Sequence, residues 1–94
     1  MELVHEKGLS KGAFKIKEDG QTVAAMTYVW SSDDNFIIDH TEVRGGYQNK
    51  GLGIKMVEAA VKYARENNLT ILPLCSFARS MFNQHPNFGD VRKI

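Results

Sequence analysis

"VRGGYQNKGLG", residues 43–53, is the stretch on which the reading of this chain turns. Four glycines, Arg44, Tyr47 and Lys50 fall within eleven residues, and the stretch runs straight into "IKMVEAAVKYARENN". That downstream segment is amphipathic. Leu52, Met56, Ala59, Ala60 and Tyr63 recur at helical spacing, while Lys55, Glu58, Lys62 and Arg65 line the opposite face. Glycines crowded at a helix entrance have a physical use. The first helical turn exposes unpaired N–H groups and the positive end of the dipole, so a loop that adds further amides there forms an anion cradle. A Cβ would hold phosphate oxygens away from the main chain, and such turns often need positive φ. A pyrophosphate is the natural guest.

Upstream of the loop, "FIIDHTEV" reads as a strand that begins apolar and becomes polar towards its end. Before it, "AFKIKEDGQTVAAMTYVW" carries a hairpin signal, because Asp19-Gly20 can take the positive-φ positions of a type I′ turn. Val23 to Trp30 is apolar on both faces, as a central strand would be. "ELVHEK" is a weaker first strand, followed by the loop "GLSKG". Downstream, Asn67-Asn68 ends the helix, and "LTILPL" is a short buried strand with Pro73 near its edge or end. "SFARSMFNQ" sets Phe77, Ala78, Met81 and Phe82 on one helical face, Pro86 stops that helix, and Phe88 tucks into the core. The segment from Phe36 to Leu74 should be a right-handed crossover joining two parallel strands. The expected fold is α+β: a mixed, mostly antiparallel sheet of about five strands, a β-α-β crossover and two helices.

Ninety-four residues predict a single domain, 1–94. The net charge of +1 argues against a nucleic-acid binder, which needs a basic stripe. No apolar run approaches the roughly 20 residues of a membrane span, and the N-terminus lacks a charged-then-apolar signal pattern. Cys75 is the lone cysteine, so no intrachain disulfide forms, which fits a reducing, cytoplasmic setting. His5, His40 and His85 share no ligand-like spacing with it or with one another, so no metal site is expected.

Two familiar phosphate loops fail on spacing. The ATPase loop needs Lys-Ser or Lys-Thr after its last glycine, where this chain has Leu52-Gly53; the dinucleotide fingerprint needs a glycine where Met56 stands. A third pattern, Gln/Arg-x-x-Gly-x-Gly/Ala, fits Gln48 to Gly53. With Val43, Tyr47, Lys50 and Leu52 in the surrounding "V-x-x-x-Y-[QR]-x-K-G-[IL]-G", the chain resembles the GNAT superfamily of acetyl-CoA-dependent N-acetyltransferases. The resemblance runs without a gap from Phe36 to Phe88, about half the chain.

The resemblance implies acetyl-CoA as the cofactor. Amides of Gln48, Asn49, Lys50, Gly51, Leu52, Gly53 and Ile54 would bind its pyrophosphate, and main chain from Thr41 to Val43 would pair with the pantetheine arm as an added strand. The strands "FIIDHTEV" and "TILPL" would then splay apart at their ends. Lys50, Lys55 or Arg44 would meet the 3′-phosphate. The implied activity is acetyl transfer to an amine, either a free amine or, since the acceptor side is open, one on a protein surface; the alternative is a protein that binds or senses acetyl-CoA without turnover.

Two departures qualify this. "GLSKG" cannot hold the helices that the family usually places after its first strand as an acceptor wall. The family's Asn-x-x-Ala-x-x-x-Tyr pattern reads here from Cys75 to Phe82, so the tyrosine that usually protonates the leaving thiolate is a phenylalanine. Cys75 lies at a strand-to-helix junction, where free amides favour a thiolate, and it could carry the acetyl group. Packing between strand and helix is the plainer role for it. His40 and Glu42, two apart on one strand, share a face and are candidate bases for an ammonium, Glu42 first. Asp39 and Thr41 are expected to point the other way, and His40 is expected near Cys75.

Overall fold

In the computed structural model, which describes residues 1–93, five strands form one sheet ordered as they occur in the chain. They are β1 (Glu2–Glu6), β2 (Lys11–Glu18), β3 (Gln21–Ser32), β4 (Asn35–Val43) and β5 (Thr70–Pro73). Strands β1 to β4 pair antiparallel, and β5 lies parallel to β4. Helix α1 (Leu52–Glu66) makes the crossover between β4 and β5, and helix α2 (Ser76–Gln84) leads into a 3-10 turn at Pro86–Val91. The element order and the α+β class agree with the sequence reading, and the 3-10 turn is an addition to it.

Local chemistry explains the hairpin. Asp19 at φ 51° and Gly20 at φ 78° occupy the two positive-φ positions of a I′ turn, whose twist matches that of the flanking strands. From there the pleat sends Phe14 and Ile16 of β2, Met26 and Tyr28 of β3, and Phe36 and Ile38 of β4 to one face, where α1, α2 and the 3-10 turn complete a single core. The buried face of α1 is broader than its periodicity suggested. Val57, Val61 and Ala64 join Leu52, Met56 and Ala60, while Ala59 and Tyr63 sit at the margin, because this helix touches the sheet, α2 and the 3-10 turn together. Arg65 pins that turn with two bonds of 2.9 Å to the Asp90 carboxylate and one of 2.7 Å to the Asn87 carbonyl.

Strand β3 is central but covered on one side only. Ala25, Val29 and Ile37 on the outer face are partly exposed and lie outside the core cluster. Both helices pack on the other face: α2 leaves β5 on the side already held by α1 and meets it at Gly53. Among the described residues no helix is long and apolar enough to cross a membrane, and no group of three His, Cys, Asp or Glu side chains could hold a metal ion.

Strand β1 is fastened by His5. Its Nε2 lies 2.6 Å from the Tyr28 hydroxyl, and its ring stacks 4.0 Å from Phe14 and meets Tyr63 edge-on at 4.5 Å. Burial, helped by the Lys7 charge, holds the His5 pKa below its ordinary 6.5; burial also pushes the Tyr28 phenol up to about 12. The unfolded chain therefore takes up a proton at His5 before the folded one does. The stability involved is intact above 6.5 and is lost as pH falls towards the lower folded value. Thermal melts between about pH 7 and pH 5 should show a falling Tm whose slope is shallower in His5→Phe. Equal slopes in the two proteins would exclude His5 as the source.

Candidate functional site

The site begins where β4 and β5 part. Their ladder covers only Asn35–Ile38 against Thr70–Pro73, and it closes with the Leu74 and Cys75 N–H groups both donating to the Ile38 carbonyl, at 3.0 and 3.1 Å. Strand β4 runs on to Val43 paired with β3 alone. The Arg44 N–H donates to the Val23 carbonyl at 2.8 Å. By the alternation of an antiparallel ladder, the main-chain groups of Glu42 also face β3, leaving those of Thr41 and Val43 turned to the open side. A free strand edge thus lines the gap.

A bulge decides which side chains face which way. The register slips between Thr27, opposite His40, and Tyr28, opposite Ile38, so Asp39 is the extra residue. Asp39 accepts a 2.7 Å bond from the Thr27 hydroxyl, and it therefore does not share Thr41's side, as plain alternation had implied. After the bulge Thr41 and Val43 return to the helix-covered face, where the Thr41 Oγ1 lies 3.3 Å from the Cys75 Sγ and Val43 packs against the core. His40 stands opposite Thr27, and Glu42 opposite Ala25, on the outer face. His40 is thus not a partner of Cys75, whose sulfur instead meets Thr41 and the Ala78 N–H, the latter at 3.4 Å.

The loop supplies the cradle. Tyr47 N–H donates to the Arg44 carbonyl at 3.0 Å, and the next bonded amide is Lys55, to the Gly51 carbonyl at 3.3 Å. Between them the amides of Gln48 to Ile54 find no acceptor among the described residues. No acidic side chain occupies the first turn of α1 to compete for them. Asn49 at φ 63° and Gly51 at φ 74° bend the loop directly before the helix, the kind of left-handed turn from which backbone nests that bind anions are built. Two glycines serve different ends. Gly51 needs its left-handed conformation and has open space around it, whereas a Cβ at Gly53 would come 2.3 Å from the Phe77 ring of α2.

Together these elements enclose a cleft of about 460 Å³, lined among others by Thr41, Val43, Gln48, Gly51, Phe77 and Met81. Phe77 and Met81, placed by the sequence on one helical face with Ala78 and Phe82, are its half-buried wall; their shared spacing gave no sign that they differ from those two buried residues. The sequence reading also missed Thr41 as a side-chain partner of Cys75 and Tyr47 as the loop's tether, 3.5 Å from Glu18. Arg44 donates to Gln21 at 3.1 Å, and Lys50 and Lys55 are exposed beside the cradle. Cys75 caps α2 through its sulfur, and Phe82 is buried in the core at 3% exposure. A cradle of seven free amides, an apolar wall and a free strand edge suit a long ligand with an anionic group at one end.

Residues 13–91 match the family described as GCN5-related N-acetyl-transferase. Among solved structures, a GCN5-like protein from Staphylococcus aureus studied by NMR is 34% identical, with a TM-score of 0.71 over 97% of this chain and 88% of that one. A ribosomal-protein-alanine N-acetyltransferase from Brucella melitensis biovar Abortus 2308 is 17% identical, with a TM-score of 0.62 over 80% of this chain and 62% of its own. A GNAT family acetyltransferase from Elizabethkingia anophelis, solved with acetyl-CoA bound, is 14% identical, with a TM-score of 0.64 over 82% of this chain and 53% of its own. The last two share the fold, and this chain spans little more than half their length. No curated protein matches the sequence.

Proposed function

Because the chain belongs to the GCN5-related N-acetyltransferase family, we propose that it binds acetyl-CoA at the mouth of α1 and passes the acetyl group to an amine carried by a protein. The observation behind this is the run of unpartnered amides from Gln48 to Ile54 beside a free strand edge. These amides would hold the diphosphate, with Lys50 and Lys55 near enough for the 3′-phosphate. The main chain of Thr41 and Val43 would pair with the pantetheine amides, and Phe77 and Met81 would cover its apolar stretches. Acetyl-CoA supplies the activated acyl group; the chain's residues grip, orient and relay it.

Cys75 is the acyl carrier in this reading. Its sulfur faces the first-turn amide of α2, which favours negative charge on sulfur as it attacks. Beyond Ile38 strand β4 has no partner on the β5 side, so an amine arriving over the outer face would pass around that free edge, with Glu42, and His40 after it, taking its proton. The outer face carries no helix among the described residues, so a folded protein could approach it.

Two measurements test the reading. Titrating ¹⁵N-labelled protein with CoA should move the amide signals of Gln48 to Ile54 before all others; unmoved signals would remove the cradle. Intact-mass analysis after acetyl-CoA addition should show one added acetyl group, absent in Cys75→Ser. A second reading, binding without turnover, draws on Phe82, which is buried and has no proton to give. It prevails if the amides shift while no acetylated protein and no amine-dependent CoA release are seen.

A further inference from the structure

We infer that the Thr41 hydroxyl carries the proton between Cys75 and the departing CoA sulfur, which makes Thr41 a catalytic residue; this rests on Cys75 as acyl carrier. Thr41 Oγ1 lies 3.3 Å from Cys75 Sγ, in an arrangement where either atom can donate. The other group at that sulfur, the Ala78 amide, can only donate. A hydroxyl is donor and acceptor at once, which is what a proton carrier needs.

Cys75 meets the cleft through Thr41, which lines it, and the rest of the lining offers no replacement. Val43, Leu52, Ile54, Phe77 and Met81 have no proton to move, and Gln48 and Asn49 stand in the cradle at the far end. Tyr47 turns its hydroxyl towards Glu18, at 3.5 Å. Phe82 is packed into the core and does not line the cleft. The bulge at Asp39 matters here, because it is what brings Thr41 to the face of Cys75.

The step balances without any further reactant. Cys75 Sγ forms a bond to the acetyl carbonyl carbon as the bond from that carbon to the CoA sulfur breaks. Thr41 Oγ1 accepts the proton leaving Cys75 while its own hydroxyl proton passes to the CoA sulfur, giving acetyl-Cys75 and free CoA thiol. Thr41 ends as it began. One thioester replaces another, so the exchange is reversible and free CoA should strip the acetyl group again. When a neutral amine then attacks the acetyl carbon, the bond to Sγ breaks. The N–H proton released as the C–N bond forms passes through the same hydroxyl to Sγ, leaving the amide, the Cys75 thiol and an unchanged Thr41. The geometry asks only that the CoA sulfur reach Thr41, which it does if the pantetheine lies along the free edge at Thr41 and Val43.

The test is the rate of acetyl-Cys75 formation, followed by intact mass after mixing with acetyl-CoA, with CoA affinity measured by calorimetry on the same proteins. Thr41→Val should slow the adduct about a hundredfold, the usual share of a positioned proton carrier. Thr41→Ser should stay within a few-fold of wild type, and all three should bind CoA alike. A valine variant as fast as wild type, or a serine variant as slow as valine, overturns the role of the hydroxyl and leaves the acyl carrier standing. No adduct on the wild-type protein, or one that survives Cys75→Ser, overturns the acyl carrier itself.

Discussion

Gly51→Val is expected to weaken CoA binding by about a hundredfold or more while leaving the fold in place. Gly51 sits at φ 74°, where an L-residue loses about 1–2 kcal/mol and a β-branched one more. The chain relieves that strain by turning the peptide, which withdraws the neighbouring amides from the cradle. Each charge-assisted bond lost from the diphosphate costs about 1.5–3 kcal/mol, so losing two spans roughly two to four orders of magnitude in Kd. Among the described residues other than its chain neighbours, only the Ile54 Cγ2, at 4.0 Å, comes that near the new Cβ, so the core should not be disturbed. Calorimetric titration with CoA checks this. An affinity within about threefold of wild type would mean the diphosphate is held elsewhere.

Tyr28→Ala should cost about 3–5 kcal/mol of stability, the range for removing a buried aromatic ring. Tyr28 is 1% exposed at the middle of the sheet, its ring 4.7 Å from Phe36 and 5.6 Å from Phe14, and its hydroxyl anchors β1 through His5. A chain of 94 residues has about 5–14 kcal/mol in all, so this one change takes a large share. Tyr28→Phe keeps the ring and loses only the bond to His5, worth about 1 kcal/mol. Urea unfolding of the two variants separates ring from hydroxyl. Equal losses would place the weight on the hydrogen bond, contrary to the packing seen.

The readings that held depend on neighbours in the chain. Asp19-Gly20 makes its turn because two successive residues must take positive φ, a local demand that the sequence displays. The helix from Leu52 is legible because its apolar period is local too, although the breadth of its buried face was not. That breadth depends on α2 and the 3-10 turn, which approach from far along the chain. Arg65 illustrates the same limit. It reads as one more solvent-facing cation until Asp90 folds back onto it.

The candidate site divides along the same line. By itself the sequence determined that a loop carrying Gly51 opens an amphipathic helix, whose first-turn amides are orphaned by helix geometry and not by any distant contact. Only the tertiary structure decided what stands around it. One inserted residue at Asp39 shifts the phase of β4, sending Thr41 to Cys75 and His40 with Glu42 to the opposite face. Packing split one helical face, burying Ala78 and Phe82 and leaving Phe77 and Met81 as cleft wall, and it required glycine at 53 for the sake of a ring on another helix. A strand's alternation can be read from its letters, but a bulge is set by how its partner strand lies against it, and that pairing spans residues far apart in the chain.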